Sequence, residues 1–371
     1  MAKKMADNKL EENYIMTGGA AAGLSAAFNA PLSGMVFALE EVHRSFSGMV
    51  LISATAAALT ADVVSKSFFG LKPVLSFVET PWLPVDYYFW LLPIGIISGA
   101  VGVIINKALL GSQKAYRKLP WFIRPGVALL IALPLGLFLP QVLGGGSNLI
   151  ELAETTSSGA HVLFGYLAVK LLFTCICFGS GVPGGIFLPI LSMGALSGSL
   201  CGMIAMRFGL PEIYIPVFAI CGMVGALSGS VKAPVTSILL AAEMTGSLAH
   251  MLPVAACSFI ALFLSDGLKA IPIYEVLLER IINEHGHAVS NDKTGGLIEI
   301  PVEVGSRVEG KCIGEVEWPQ GILIVGVHRG DIDIVPNGNT KINVGDYLVV
   351  ASSECTYNMI SVSMRELCYN N

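Results

Sequence analysis

Long apolar stretches separated by short polar turns fill the first 270 residues, and shorter apolar stretches fill the remainder. The long stretches are 16–42, 47–70, 87–110, 123–143, 160–178, 185–207, 214–230, 234–248 and 250–270. A helix needs about 20 apolar residues to cross the hydrocarbon core of a bilayer. We therefore expect 87–110, 123–143 and 185–207 to cross a membrane, and the other stretches to form shorter or broken helices.

Two of these stretches are interrupted by the same dipeptide. Proline follows alanine at Ala30-Pro31 and at Ala233-Pro234, and proline cannot continue a helix because it lacks a backbone N–H. Broken helices at membrane depth are tolerated only where they are packed in protein or line a cavity. Paired broken helices indicate a transport site.

Both breaks belong to an internal repeat with a constant offset of 203 residues. A Leu-Ser pair, the Ala-Pro pair and Glu40 recur in the same spacing, with Glu243 as the counterpart of Glu40. The pattern predicts two homologous halves with a site at their interface. The segment 179–189 would have its counterpart before residue 1, so we expect the first half to be incomplete. We assign Glu243 only a structural role.

Charge separates the chain into two parts. Charged residues make up 13% of the chain, about half the roughly 25% of an ordinary soluble domain. Residues 271–371 nevertheless carry 14 acidic and seven basic side chains. The predicted organisation is a polar start (1–15), a transmembrane domain (16–283), a linker (284–296) and a soluble domain (297–371). The net charge of −5 argues against a nucleic-acid partner.

The last hundred residues predict a short helix followed by strands. The helix covers about 274–284, and Val- and Ile-rich strands follow at 297–302, 321–329, 332–335 and 347–352, bounded by Gly, Pro, Asn and Asp. The predicted fold class is an all-α polytopic membrane domain followed by a small β-rich α+β soluble domain.

The segment Gly179–Pro189 carries the clearest candidate chemistry. It contains four glycines and two prolines between two apolar stretches, and an uninterrupted helical pattern begins at Ile186. The first amides of that helix lack intrahelical partners and carry the positive end of its dipole, which favours an anion. From the residues alone, a tight interhelical loop is an equally good interpretation.

Several motifs resemble the CLC family of chloride channels and chloride/proton antiporters. Gly-Gly-Ile-Phe-Leu-Pro resembles the GxFxP signature, and residues 17–41 resemble the block GAAAGLAAAFNAPLAG…F…EE. Further similar segments lie at 144–146, 232–234 and 272–274, so that the resemblance covers about residues 10–283. It implies a CLC-like fold with broken and re-entrant helices, a homodimer in the lipid of the cell membrane, and cytoplasmic termini.

The same resemblance implies site residues. A central chloride would be held by the backbone amides of Ile186 and Phe187 and by the hydroxyl of Tyr274, although Tyr274 alone also suits an interfacial aromatic anchor. Glu41 falls on the internal proton-transfer glutamate of the antiporters. The residues of the anion loop are Gly181, Gly184, Gly185 and Pro189. No cofactor is implied, and the eight cysteines lack metal-ligand spacing.

Two elements of the family pattern are not found in the chain. The serine-bearing GSGIP segment and the G(K/R)EGP segment with the gating glutamate would both precede residue 1. We therefore expect coupled chloride/proton exchange in a full-length protein and not in this chain alone.

The tail has a resemblance of its own. Residues 328–346, with an Arg-Gly turn, a Pro-x-Gly turn and a Gly-Asp pair, resemble the TrkA-C (RCK-C) domain of potassium-channel regulators. This implies a small dimerising module that binds a small ligand. A module that only dimerises or assists folding is an equally open interpretation.

Other functions remain as alternatives. They are a chloride channel without proton coupling, a non-transporting fragment with a working tail, and a cation transporter suggested by the tail. Fluoride transport is less expected because Tyr274 and Glu41 match the chloride pattern. An enzyme is disfavoured because the sequence shows no nucleophile–base constellation. We expect the charged side chains near segment ends to snorkel toward water, namely Asp62, Lys66, Lys170 and Lys232.

Overall fold

The computed structural model describes residues 9–43, 48–70, 74–75, 77, 81–155, 159–182, 184–285, 297–302, 305–319, 321–329, 332–352, 364 and 367–368. It divides the chain into two compact units, Met1–Leu277 and Leu278–Asn371. Helices build the first unit, and the second contains a four-stranded sheet. The predicted fold class is confirmed.

The described α-helices are α1 (Lys9–Phe28), α2 (Pro31–Phe37), α3 (Gly48–Phe69), α4 (Leu91–Tyr116), α5 (Arg124–Phe138), α6 (Ser147–Ala153), α7 (Ala160–Gly179), α8 (Phe187–Met206), α9 (Ile215–Val231), α10 (Pro234–Thr245), α11 (Met251–Gly267) and α12 (Ile273–His285). A π-helical turn, Ala38–His43, follows α2 directly. Short 3₁₀ turns precede α4, α6 and α9.

Five helical segments within the described residues are long and apolar enough to cross a membrane: Gly48–Phe69, Val85–Tyr116, Ala160–Gly179, Phe187–Met206 and Glu212–Val231. The expectation is therefore confirmed for 87–110 and 185–207. It is wrong for 123–143, because α5 has only 15 residues and the chain turns at Leu139-Pro140. The stretches 47–70, 160–178 and 214–230 were expected to form shorter or broken helices, and they correspond instead to three of these five segments.

The repeat predicted from the sequence is visible in the backbone. Each break places a left-handed residue before the Ala-Pro pair, Asn29 with φ 52° in the first half and Lys232 with φ 64° in the second. Ala30 (φ −129°, ψ 74°) and Ala233 (φ −112°, ψ 79°) also match closely. A proline then starts α2 and α10, where its missing N–H has no intrahelical partner in any case.

The core of the first unit is α9, all of whose residues are buried. Helix α9 contacts α8 on one side and α4 on another, and glycines line both contacts. A Cβ atom on Gly102 of α4 would lie 2.4 Å from the carbonyl oxygen of Ala226. Asn106 of α4 also donates a hydrogen bond of 2.8 Å to the carbonyl of Ser230. Close backbone contact with interhelical hydrogen bonds is the usual way in which helices associate in lipid.

The second unit contains an antiparallel sheet with strand order β1-β4-β2-β3. Its strands are β1 (Leu297–Pro301), β2 (Ile322–Arg329), β3 (Ile332–Ile334) and β4 (Tyr347–Ser352), close to the predicted ranges. One face packs on an apolar core that includes Val327, Leu348 and Val350. The linker predicted at 284–296 lies almost entirely outside the described residues.

An ion pair between a buried carboxylate and a half-exposed guanidinium holds the end of this sheet. Asp346 is 1% exposed and accepts two hydrogen bonds from the Arg329 guanidinium, at 2.8 and 2.7 Å. It also accepts a hydrogen bond of 2.8 Å from the backbone amide of Asn343. The hydrogen bonds to Asp346 raise the pKa of Arg329. The pair therefore joins β2 to the turn before β4.

Replacing Arg329→Met is expected to destabilise the second unit by about 1–3 kcal/mol, because it leaves the buried carboxylate of Asp346 short of two hydrogen bonds, while water screens the half-exposed guanidinium. The measurement is limited proteolysis of the full chain, with the tail cut at much lower protease concentration in the variant. Arg307→Met is the matched control, because Arg307 is exposed. Equal protease resistance of both variants would show that the pair contributes little.

Candidate anion and proton site

The predicted anion helix starts where the sequence places it. Helix α8 runs from Phe187 with Ile186 at its N-cap, and no side chain caps it. Ile186 and Phe187 are buried, at 4% and 7% exposure. Uncapped first-turn amides beside buried apolar side chains are donors with little competition from water, which suits a dehydrated anion.

The anion loop before this helix separates into an exposed and a buried part. Gly181, Gly184 and Gly185 are exposed, and Gly181 has φ 77°, a conformation that favours glycine. A Cβ atom on any of the three would meet nothing closer than 3.9 Å. Pro189 is buried in the first turn of α8. The glycines therefore leave open space in front of the helix start, and the structure does not bring them against Tyr274.

Aromatic rings join the start of α8 to the first half of the repeat. The Phe187 ring lies 5.9 Å from Phe37 in an edge-to-face arrangement and 6.0 Å from Phe28. Phe37 in turn makes an edge-to-face contact of 6.3 Å with Tyr274. Such pairs contribute about 0.5–1.5 kcal/mol beyond their area burial. The predicted chloride residues Phe187 and Tyr274 are thus brought together through Phe37.

Tyr274 and Glu41 lie close enough to interact electrostatically. Tyr274 is the second residue of α12 and is partly buried. Burial, and secondarily the charge of Glu41, raise the pKa of Tyr274. The hydroxyl therefore stays protonated and can donate a hydrogen bond. Glu41 itself lies on the π-helical turn, a backbone irregularity that is frequent at functional sites.

Lys170 is the residue that the sequence interpretation misjudged. It is fully buried in α7, and its ammonium group donates hydrogen bonds of 2.8 Å to the carbonyl of Val142 and 2.7 Å to that of Gly144. It does not snorkel, because it is the eleventh of 20 residues in α7 and lies far from either helix end. That central position was the sequence signal. The other predicted snorkelling side chains form ion pairs, Lys66 with Asp62 and Lys232 with Asp266.

The carbonyls that Lys170 holds belong to a loop packed on α8. A Cβ atom on Gly146 would lie 2.6 Å from Ser192 Oγ and 3.1 Å from Lys170 Cε. Ser192 lies about 9 Å along the helix from Ile186, at 1.5 Å per residue. Lys170 therefore places a positive charge behind the first turns of α8, without lying at the proposed anion position. Among the described residues, no group of three His, Cys, Asp or Glu side chains could hold a metal ion.

The comparisons with known proteins agree in both parts of the chain. The family model for the voltage gated chloride channel matches residues 1–266, and that for the TrkA-C domain matches residues 297–360. H(+)/Cl(-) exchange transporters ClcA of Salmonella arizonae and Salmonella paratyphi B are 34% identical over 277 residues, covering 72% of this chain and 59% of each relative.

Solved structures give the same result for the fold. A slow cyanobacterial Cl⁻/H⁺ antiporter superposes with a TM-score of 0.69 at 28% identity, covering 75% of this chain and 67% of the other. A CLC-type fluoride/proton antiporter gives 0.58 at 27% identity, covering 70% and 65%. A eukaryotic CLC transporter, at 18% identity and a TM-score of 0.61, shares the fold, covering 74% of this chain and 48% of the other.

Proposed function

Because the chain belongs to the voltage-gated chloride channel family, we propose that the full-length protein to which it contributes carries chloride across a membrane in exchange for protons. The observation that carries the proposal is the contact of Phe187 with the Phe37–Tyr274 pair, next to the uncapped start of α8. The Salmonella and cyanobacterial relatives are named as chloride/proton exchangers or antiporters. The chain spans 59% of the length of these curated relatives from Salmonella.

In the proposed mechanism chloride binds without meeting a full positive charge. The amides of Ile186 and Phe187 and the hydroxyl of Tyr274 donate to it, and the open glycine loop gives access to the helix start. Neutral donors suit a permeant ion, since binding must be strong enough for entry and weak enough for release. Lys170 favours an anion from a distance through its field. Glu41 exchanges protons with one side of the membrane, next to Tyr274.

The arrangement of the whole protein is part of the proposal. It is a multi-pass homodimer in the lipid of the cell membrane, with the TrkA-C domain in the cytoplasm. The domain joins two copies and binds a small ligand that regulates transport. The match to the TrkA-C family model over residues 297–360 supports this assignment.

Fluoride is the second candidate substrate, and the structural likeness to a fluoride/proton antiporter favours testing it. Glu41 beside Tyr274 fits chloride, as the family resemblance implies. The choice between the two halides is an outcome of the flux experiment, which measures both ions.

The test is halide efflux from liposomes with and without a proton gradient. The chain is compared with a version that is extended at its N-terminus by translating the codons upstream of Met1. Replacing Tyr274→Phe is expected to weaken chloride binding about tenfold, since a hydrogen bond to a charged group contributes about 1.5–3 kcal/mol. Tyr214→Phe is the control, because Tyr214 pairs with Tyr87 and contacts neither Phe37 nor Phe187 in the described ring pairs. No halide flux from either version would refute the transport proposal.

A further inference from the structure

The two glutamates related by the repeat reach across to each other's half. The carboxylate of Glu243 accepts hydrogen bonds from the backbone amides of Leu32 and Ser33, at 3.0 and 2.7 Å, and from the Ser33 hydroxyl. The carboxylate of Glu40 accepts the matching set from the other half. Its donors are the amides of Val235 and Thr236, at 3.1 and 2.8 Å, and the Thr236 hydroxyl at 2.7 Å.

These contacts form a crossed pair of clamps. Helices α2 and α10 each begin at a proline and have no side-chain cap from their own N-cap residue. Each therefore receives its cap from a glutamate about 200 residues away in sequence. Hydrogen bonds to an ionised carboxylate are about twice as strong as neutral ones, and negative charge at a helix start is also favoured by the dipole. The clamps tie the two halves together.

The clamps are alike in their contacts but differ in the residue that comes after each glutamate. Glu243 lies inside the regular helix α10 and is followed by Met244, which is fully buried. Glu40 lies inside the π-helical turn and is followed by Glu41. A π-type turn changes the direction in which the next side chains leave the axis. The first-half clamp therefore fixes the backbone that carries the proposed proton-transfer group.

We propose that Glu40 is a positioning residue for proton transfer. Its clamp on the start of α10 holds the π-helical turn, and the turn carries Glu41. Glu243 ties the halves together at the start of α2, the end of that helix away from the π-helical turn, whereas Glu40 ties the turn itself. This proposal rests on the proposed exchange of chloride for protons, and it assigns Glu40 no contact with either transported ion.

Repeat symmetry provides a matched pair of variants. Glu40→Gln and Glu243→Gln keep the side-chain shape but turn an amide N–H₂ toward backbone donors, so each variant is expected to lower the thermal midpoint by a similar amount, about 5 °C. Only Glu40→Gln is expected to lower proton flux relative to chloride flux, by about tenfold, since small misplacements of a transfer group are costly. Equal proton-to-chloride ratios in the two variants would overturn the proposal.

A second measurement does not depend on transport. In a chain whose native cysteines are serine, Glu41→Cys is modified by a water-soluble methanethiosulfonate. We expect Glu40→Gln to change the modification rate severalfold and Glu243→Gln to leave it as it was. If this pattern holds while the parent chain moves no ions, the positioning role stands and the proposed exchange fails. A rate unchanged by Glu40→Gln, or changed alike by both variants, would overturn the positioning role.

Discussion

Glu41→Gln is expected to remove proton transport while chloride transport continues. A carboxamide cannot take up and release a proton, whereas it occupies the same volume as the carboxylate and leaves the start of α8 intact. A positioned acid–base group commonly contributes 10²–10⁴-fold to proton transfer, so we expect proton flux to fall by at least about 100-fold. Parallel recordings with a proton-sensitive dye and a chloride electrode on the same liposomes would measure both fluxes.

The matched control for Glu41 is Glu151→Gln, which removes an exposed carboxylate from α6. Both fluxes should be as in the parent chain. Proton flux that survives in Glu41→Gln would show that another group relays the proton. Loss of chloride flux together with proton flux would indicate that Glu41 supports the fold of the site instead.

Gly198→Ala is expected to disrupt the core of the membrane unit. A Cβ atom at this position of α8 would lie 2.1 Å from the carbonyl oxygen of Phe218 in α9, and that oxygen is backbone. The methyl group fits only if the two buried helices move apart. This movement also opens the close approach at Gly222, where an added Cβ atom would lie 2.3 Å from the carbonyl oxygen of Gly194. We expect a loss of at least about 3 kcal/mol, the upper part of the range for overpacked cores.

Thermal unfolding in detergent, followed by gel filtration, measures this effect. Gly165→Ala in α7 is the control, because an added Cβ there meets nothing within 4 Å and alanine favours the helix. The variant at Gly198 should unfold at a much lower temperature or elute as aggregate. Similar unfolding temperatures for the two variants would mean that α8 and α9 can separate at little cost.

Local chemistry explains how much of the fold the sequence could predict. The breaks at Ala30-Pro31 and Ala233-Pro234 were predictable because proline acts on its own neighbours, and a constant offset linked the two. The strands were predictable from short Val- and Ile-rich runs between turn residues. The expected span at 123–143 was wrong because its length was judged without Pro140, which begins a new turn just after the end of α5.

The site could be predicted only in part, because some of its contacts join residues that are distant in sequence. Ile186 and Phe187 could be located because a Gly- and Pro-rich loop precedes an uninterrupted helix. Nothing local to Phe37 indicates that its ring lies between Phe187 and Tyr274. The crossing of Glu40 and Glu243 was likewise hidden, since the repeat shows that the two are equivalent but not that each caps the other's half.

Lys170 also bears on how the chain enters a membrane during synthesis. An ammonium group near the centre of a lone helix opposes insertion by about 2.5–3.5 kcal/mol. Its two acceptors, the carbonyls of Val142 and Gly144, belong to a segment that leaves the ribosome earlier. The Lys170 ammonium group of α7 can therefore form its two hydrogen bonds only when the loop before the helix is also present. The stretch from Val142 to Gly179 is then the smallest piece that contains the whole of α7 together with both acceptors of Lys170.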